Sequence, residues 1–309
     1  MYTNEIMDIL PKDILLNLSE FKDFKLVQEI RLRVSKPLIV QINQNEIIKP
    51  FIVTKDHIKT ILQRISNYSM YAFEEEIRQG YITIKGGHRI GISGDCVQDR
   101  DGIKTIRTIS SLNIRICREV KGCGEFLIPY ITKEGQVLNT IIISPPKCGK
   151  TTILRDISRQ ISDGDTRRGI KGKKVVIIDE RSEIAACYEG VPQLEVGIRT
   201  DVYDNCMKSD GIIMAIRSMA PEVLICDEIG SEKDMESILL ALNSGVNIIT
   251  TIHGSGIEDM EKRLVFKNLL EAEVFRKAVV LSNRRGIGTI EYIYDFQLNK
   301  VIYGEKIYG

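Results

Sequence analysis

Residues Ile141 to Ile157, IIISPPKCGKTTILRDI, read as a buried strand, a tight loop and an amphipathic helix, in that order. A loop that turns from a strand into a helix aims its backbone N–H groups, and the positive end of the helix, at one spot. Gly149-Lys150-Thr151-Thr152 closes the loop as in the phosphate-binding pattern G-x-x-x-x-G-K-[ST]. Ser144, Pro145, Pro146, Lys147, Cys148 and Gly149, followed by Lys150, Thr151 and Thr152, are therefore expected to cradle phosphates. Lys150 is expected to reach the outer phosphates, and the Thr151 hydroxyl to hold Mg2+. Ser144 stands where the pattern asks for glycine. A Gly-Lys-Thr turn that starts a helix without any ligand is the competing reading of the motif by itself.

A chain of 309 residues has room for a sizeable core and suggests two domains. Its net charge of +1 gives no global electrostatic case for nucleic acid. The charge is uneven: residues 1–124 carry +4 and the rest −3. Seven cysteines without metal-type spacing fit a reducing compartment. The N-terminus lacks the basic start and apolar core of a signal peptide, and no run approaches 18 apolar residues. The expectation is a cytosolic protein, at most peripheral to a membrane.

Gly122-Cys-Gly124 marks the best boundary, giving an N-terminal α/β domain over 1–122 and a second domain over 123–309. In the first, Glu5–Leu18 has helical spacing broken at Pro11, and Glu29–Val34 and Leu38–Ile42 read as strands. Thr54 or Asp56 caps a helix through Ile65, Tyr71–Gln79 is helical up to Gly80, and residues 81–92 form a hairpin. Thr105–Arg118 is strand-like. In the second domain, strands at Leu138–Ile143, Val175–Ile178, Val223–Cys226 and Val246–Ile252 alternate with helices at 206–219, 235–242 and 257–270. That alternation argues for a parallel sheet covered by helices. Strands at 278–281, 289–294 and 301–303 close the chain, and Asp163–Lys174 reads as a solvated polar loop.

Several of these strands end in groups that phosphoryl transfer needs, and ligands of open α/β sheets bind beyond the carboxyl ends of strands. Val223–Cys226 delivers Asp227 and Glu228, the acid-tipped strand usually called Walker B. Asp227 is expected to hold the metal through water, and Glu228 to orient and deprotonate the attacking water. Paired acids capping the next helix are the structural alternative. Val175–Ile178 also ends in acids. Glu180 could share water positioning with Glu228, or Asp179 and Arg181 could form a structural ion pair. His253, leaving a buried strand ahead of Gly254, fits a γ-phosphate sensor. His88 lacks such a setting and is expected to be structural. Positive charge for the transition state has candidates in Arg199, Arg217, Arg107, Arg115 and Arg118, each of which could be plain surface charge.

In this order the motifs resemble the secretion-ATPase branch of the RecA-like P-loop proteins. The resemblance places that family's aspartate-box acids on Asp179 and Glu180, its Walker B glutamate on Glu228 and its histidine-box residue on His253. Asp227 departs from it, because those motors often carry glycine there. A narrower resemblance rests on Glu29-Ile-Arg-Leu-Arg, Gly80-Tyr-Ile-Thr-Ile-x-Gly-Gly-His-Arg, Ser110-Ser-Leu-Asn-Ile-Arg-Ile, Pro145-Pro-x-x-Gly-Lys-Thr-Thr, Arg199-Thr-Asp-Val and Ile216-Arg-Ser-Met. Together they are similar to the stage III sporulation AA family over roughly residues 25–296. The resemblance implies a RecA-like C-terminal P-loop ATPase domain behind a smaller α/β domain, with ATP and Mg2+ as ligands. It further implies a cytoplasmic homo-hexamer, peripheral to the inner or forespore-engulfing membrane, docked on membrane-channel proteins of the sporulation secretion apparatus. No nucleic acid is expected. The alternatives are a RecA/helicase-type nucleic-acid motor and a regulatory nucleotide-binding module without turnover.

Overall fold

The computed structural model describes residues 4–21, 24–43, 45–66, 73–100, 102–166 and 169–305. The chain divides into two compact units, one of residues 1–118 with 186–193, the other of residues 119–185 with 194–309. The first unit holds helices α1 (Asn4–Ile9), α2 (Lys12–Leu18), α3 (Lys55–Ile65) and α4 (Glu74–Gln79). Its strands are β1 (Val27–Arg33), β2 (Pro37–Ile42), β3 (Asn45–Ile52), β4 (Tyr81–Ile84), β5 (His88–Asp99) and β6 (Gly102–Arg115). They form one sheet in the order β3-β2-β1-β6-β5-β4, antiparallel at every pairing.

Alternation decides the faces of that sheet. Ile30 and Leu32 go inward and pack with Val40, Ile58, Ile61, Ile90 and Ile114. Glu29, Arg31 and Arg33 take the opposite face, where Glu29 pairs in register with Arg115 and Arg115 with Arg89. Thr54 caps α3 in a capping box completed by the His57 side chain, and Gly80 ends α4 with φ +82°. Of the expected helix at 71–79, Tyr71 and Ala72 lie outside the described residues. His88 is fully buried, and its Nδ1 accepts the Cys117 N–H at 3.0 Å, a structural histidine. Strand β3 carries Pro50, which an edge strand tolerates and a central one does not.

The second unit is built on a sheet of eight strands. Its elements are β7 (Thr140–Ser144), α5 (Lys150–Asp163), β8 (Val175–Asp179), β9 (Thr200–Asp204), α6 (Lys208–Ser218), β10 (Val223–Glu228) and α7 (Glu232–Asn243). There follow β11 (Asn247–His253), α8 (Leu264–Glu271), β12 (Lys277–Ser282), β13 (Thr289–Asp295) and β14 (Lys300–Gly304). The order is β9-β8-β10-β11-β7-β12-β13-β14, with the first six parallel and the last two attached antiparallel. Every residue of β7 and β8 is buried, as expected of strands covered on both faces. Ile143, Ile178, Cys226 and Ile252 pack with Ile212 of α6, Ile238 of α7 and Leu269 of α8. The alternate face lies under α5, whose Ile153, Leu154, Ile157 and Ile161 are buried. The helix expected over 257–270 is two, Ile257–Glu261 and Leu264–Glu271. No helix among the described residues is long and apolar enough to cross a membrane.

The Gly122–Gly124 stretch is fastened to α5. Asp156 is buried, and its carboxylate accepts the N–H of Gly122 at 3.0 Å and of Gly124 at 2.8 Å. Arg159 and Gln160 donate to the same carboxylate at 2.8 and 2.7 Å. Glycine is needed at 124 because a Cβ would meet Ile157 Cγ1 at 3.0 Å and its backbone N at 3.2 Å. Asp156→Ala leaves these donors without their charged acceptor and should destabilise the protein by about 3 kcal/mol. Arg217→Ala, at an exposed helix end, should stay within about 0.5 kcal/mol in the same urea titration. Equal midpoints for the two variants would refute the clamp.

Candidate functional site

The loop between β7 and α5 explains the serine at its start. Ser144 is the last residue of β7, paired in register with His253, and it is not among the residues with positive φ. Its hydroxyl donates to the Pro145 carbonyl at 2.9 Å. The loop's left-handed positions are Lys147, at φ +61°, and Gly149, at φ +85°. Glycine is therefore needed at 149 and not at 144. Gly149 is also the N-cap of α5, so no side chain caps the first-turn N–H groups, which stay available to an anion. The hairpin turn beyond β12 props the loop: the Gly288 N–H donates to the Cys148 carbonyl at 3.1 Å. A Cβ on Gly149 would meet Ile287 Cγ2 at 2.9 Å.

Three neighbouring strand ends are joined through Lys150. Its ammonium donates to the Ser144 carbonyl at 3.3 Å and to His253 Nδ1 at 2.7 Å. His253 Nε2 lies 2.8 Å from a Glu228 carboxylate oxygen. An ammonium on Nδ1 makes that nitrogen the acceptor, so the ring proton sits on Nε2 and is donated to Glu228. Burial holds Lys150 below its ordinary pKa, with Glu228 opposing. Lys150, at the start of α5, thus meets His253 and Glu228, which end the adjacent strands β11 and β10.

The other acids gather around a lysine that the sequence reading passed over. Lys208, at the start of α6, donates to Asp227 Oδ1 at 3.0 Å and also to a Glu180 carboxylate oxygen. Burial alone would lower the pKa of Lys208, but Asp227 and Glu180 outweigh it and raise it. Asp227 is itself raised, by burial, although Lys208 pulls the other way. The pairing of β10 with β11 slips between Ile225 and Glu228, an irregularity that re-aims side chains at the strand end. Asp179 makes no use of Arg181: its carboxylate accepts the N–H groups of Glu183, Ile184 and Ala185 at 2.8–2.9 Å. From the opposite side, buried Arg155 of α5 donates to the carbonyls of Ile184 and, at 2.8 Å, Glu183. The loop after β8 is gripped from both ends of its peptide dipoles.

Two of the expected arginines stand elsewhere. Arg199 Nη1 donates to the Ser162 carbonyl at 2.8 Å, so it caps the C-terminus of α5, roughly 18 Å along that helix from Lys150. Arg217 is exposed in the last turn of α6, roughly 13 Å along it from Lys208. In the first unit Arg107 pairs with Asp95, Arg118 donates to the Val27 carbonyl at 2.7 Å, and Arg115 is exposed on the sheet face. The Thr151 hydroxyl and the strand-end carboxylates of Glu180, Asp227 and Glu228 are hard oxygen ligands of the kind Mg2+ takes. Among the described residues no three His, Cys, Asp or Glu side chains form a metal cage by themselves. Mg2+ at a nucleotide needs none, because phosphates and water supply most of its ligands.

Asp179 gives the site a measurable pH signature. Burial pushes its pKa up to about 6, even against three backbone donors. Between the ordinary 3.8 and about 6, the folded state holds a proton that the unfolded chain lacks. The Asp179 contribution to stability is therefore greatest near pH 4, falls as pH rises to about 6 and is flat above. The window spans about 3 kcal/mol. Asp179→Asn removes the titration and turns an amide donor toward backbone donors, so it should cost about 2 kcal/mol at pH 7. Plotted against pH from urea titrations, the stability difference between wild type and Asp179→Asn should change across pH 4–6. A flat difference would refute the assignment.

Among solved structures, the ATPase DotB of Legionella pneumophila superposes with a TM-score of 0.58 over 87% of this chain and 74% of its own, at 16% identity. The pilus retraction motor PilT, solved with bound ADP, superposes with a TM-score of 0.59 over 87% of this chain and 76% of its own, at 15% identity. The fold is that of the RecA-like secretion ATPases. Stage III sporulation protein AA of Bacillus subtilis (strain 168) is 43% identical over 294 residues, 94% of this chain and 95% of the relative. The family model described as sporulation stage III, protein AA matches residues 2–301. With a relative of that identity and a match over nearly its whole length, the chain belongs to the sporulation stage III protein AA family.

Proposed function

We propose that this protein is a Mg2+-dependent ATPase whose cycle powers a secretion-like channel between mother cell and forespore during endospore formation. The observation that carries the reading is the hydrogen-bonded chain from the Ser144 carbonyl through Lys150 and His253 to Glu228. It links the phosphate loop to the acid of the Walker B strand through the strand between them. The first turn of α5 and Lys150 hold the phosphates. A γ-phosphate competes with His253 Nδ1 for the Lys150 ammonium, so nucleotide arrival is felt at His253 and passed to Glu228. Glu228, whose side chain is 36% exposed, is open enough to accept a proton from the attacking water. Bound Mg2+ would neutralise phosphate charge, and the Thr151 hydroxyl is the group of this chain best suited to hold it.

The assembly proposed with this activity is a homo-hexamer docked on membrane-channel proteins of the sporulation apparatus. Arg31, Arg33, Arg89 and Arg115 share the polar face of the first unit's sheet, and such a face suits donation of arginine to a neighbouring subunit's nucleotide.

Lys150→Ala should abolish nucleotide binding or hydrolysis, and Glu228→Gln should retain nucleotide while turnover drops by about 10²–10⁴. Phosphate release and equilibrium binding of a fluorescent ATP analogue, each with and without single-stranded DNA, measure both. Turnover at the wild-type rate in either variant would remove the proposed site. Strong stimulation by DNA would point instead to a nucleic-acid motor.

A further inference from the structure

Lys208 occupies a position that nothing in local structure favours. It is the first residue of α6, where the helix dipole repels a cation, and the N-cap Met207 offers no side-chain bond. The residue is only 7% exposed. A buried lysine on the positive end of a helix persists only where fixed carboxylates meet it. The backbone beneath it is tightly held. The Asn205 N–H donates to the Asp179 carbonyl at 2.9 Å, and the Ser182 hydroxyl donates to Asp204 Oδ1 at 2.7 Å. At Gly211 the helix lies so close to β8 that a Cβ would meet Ile178 Cγ2 at 2.7 Å.

The two carboxylates are unequal partners. Asp227 has a short side chain, 14% exposed, on a central strand, and its backbone carbonyl accepts the Thr250 hydroxyl at 3.0 Å. Glu180 has a longer side chain, is 37% exposed, and stands just past the end of β8, on the strand next to β10. The rigid member is Asp227, and the member that needs holding is Glu180.

We propose that Lys208 is a positioning residue: anchored on Asp227, it fixes the carboxylate of Glu180 beside the Walker B strand end, so Asp227 serves as the lysine's anchor and not as a metal ligand. The inference rests on the ATPase reading only for its kinetic consequences. The contact itself belongs to the free protein.

The test uses the full chain with Lys208→Met, Lys208→Arg, Asp227→Asn, Glu180→Gln and the Lys208→Met/Glu180→Gln pair. In the free protein, amide hydrogen exchange over residues 180–182 should rise at least about fivefold in Lys208→Met and Asp227→Asn, and Lys208→Arg should restore protection. Turnover in Lys208→Met should fall by about 10–100-fold, with the affinity for a fluorescent ADP analogue unchanged within about twofold, both with and without Mg2+. The double variant should be no worse than the poorer single variant, because the lysine acts through the glutamate. Unchanged exchange over 180–182, or losses that multiply in the double variant, would overturn the proposal. So would Asp227→Asn weakening Mg2+-dependent binding alone, since that is a metal ligand's signature. If Lys208→Met does not fold, Asp227→Asn and Lys208→Arg carry the same comparison. Failure of the ATPase reading shows separately, as turnover that survives Lys150→Ala.

Discussion

Arg155 and Asp156 are consecutive buried charges on α5, and neither neutralises the other. Both bond to main chain, Asp156 to the N–H groups of Gly122 and Gly124 and Arg155 to the carbonyls of Glu183 and Ile184, and Asp156 also accepts from Arg159 and Gln160. A buried charge stripped of such partners would be costly, so the loops that supply them are held against the helix. The helix that carries Lys150 is thereby tied to the segment entering the second unit at residue 119 and to the segment leaving it at residue 185. Arg199 completes the attachment by capping the other end. Fourteen residues of helix thus carry the phosphate loop and anchor two other segments of the second unit.

The charged groups at the strand ends obey one rule. Lys150 and Lys208 each have a carboxylate or imidazole at a strand end, and the acids Asp179 and Asp227 have either a cation or backbone N–H groups. Lys150 meets His253 and through it Glu228, Lys208 meets Asp227 and Glu180, and Asp179 meets the turn that follows its own strand. Buried ion pairs add little to stability beyond what apolar residues of equal volume would give. What they do give is direction, because a side chain held by two fixed partners cannot wander. The parallel sheet supplies the fixed partners, since its hydrogen bonds lock the spacing of the strand ends that carry them.

Much of this was legible in the sequence, for reasons of pattern. Strands buried on both faces are continuous apolar runs, so β7, β8, β10 and β11 stood out, and their ends delivered Glu180, Asp227, Glu228 and His253 where a ligand would sit. The less legible parts depend on neighbours distant in sequence. Lys208 looks like any lysine on a polar helix start, and only the helix dipole argues that a cation there is out of place. Arg155 and Asp156 look like the solvated side of an amphipathic helix. Strands β3 and β9 are edge strands, the first interrupted by Pro50 and the second of polar composition, and both are too weakly patterned to separate from loops. Residues 186–193 close on themselves in a short bridge between Tyr188 and Val191 and join the first unit where the Gly86 N–H donates to Gln193 Oε1 at 2.8 Å, which leaves no periodic trace.

Ser144 shows how a departure from a motif should be weighed. A glycine in a loop signature stands for a backbone angle or a close approach, and the residue matters only where one of these is required. Here the angle is required at 147 and 149, and the close approach at 149, where the Ile287 side chain leaves no room for a Cβ. Position 144 is still sheet, paired with His253, so serine fits without strain. Lys147 takes a left-handed angle without being glycine, which costs about 1–2 kcal/mol. The Pro145-Pro146 pair ahead of it limits how much freedom the unfolded loop has to lose, which offsets part of that cost. The loop is thus held in its turn by proline stiffness and one obligatory glycine, where a glycine-rich loop would rely on flexibility. The pairing of Ser144 with His253 also ties the root of the loop to the residue that joins Lys150 to Glu228.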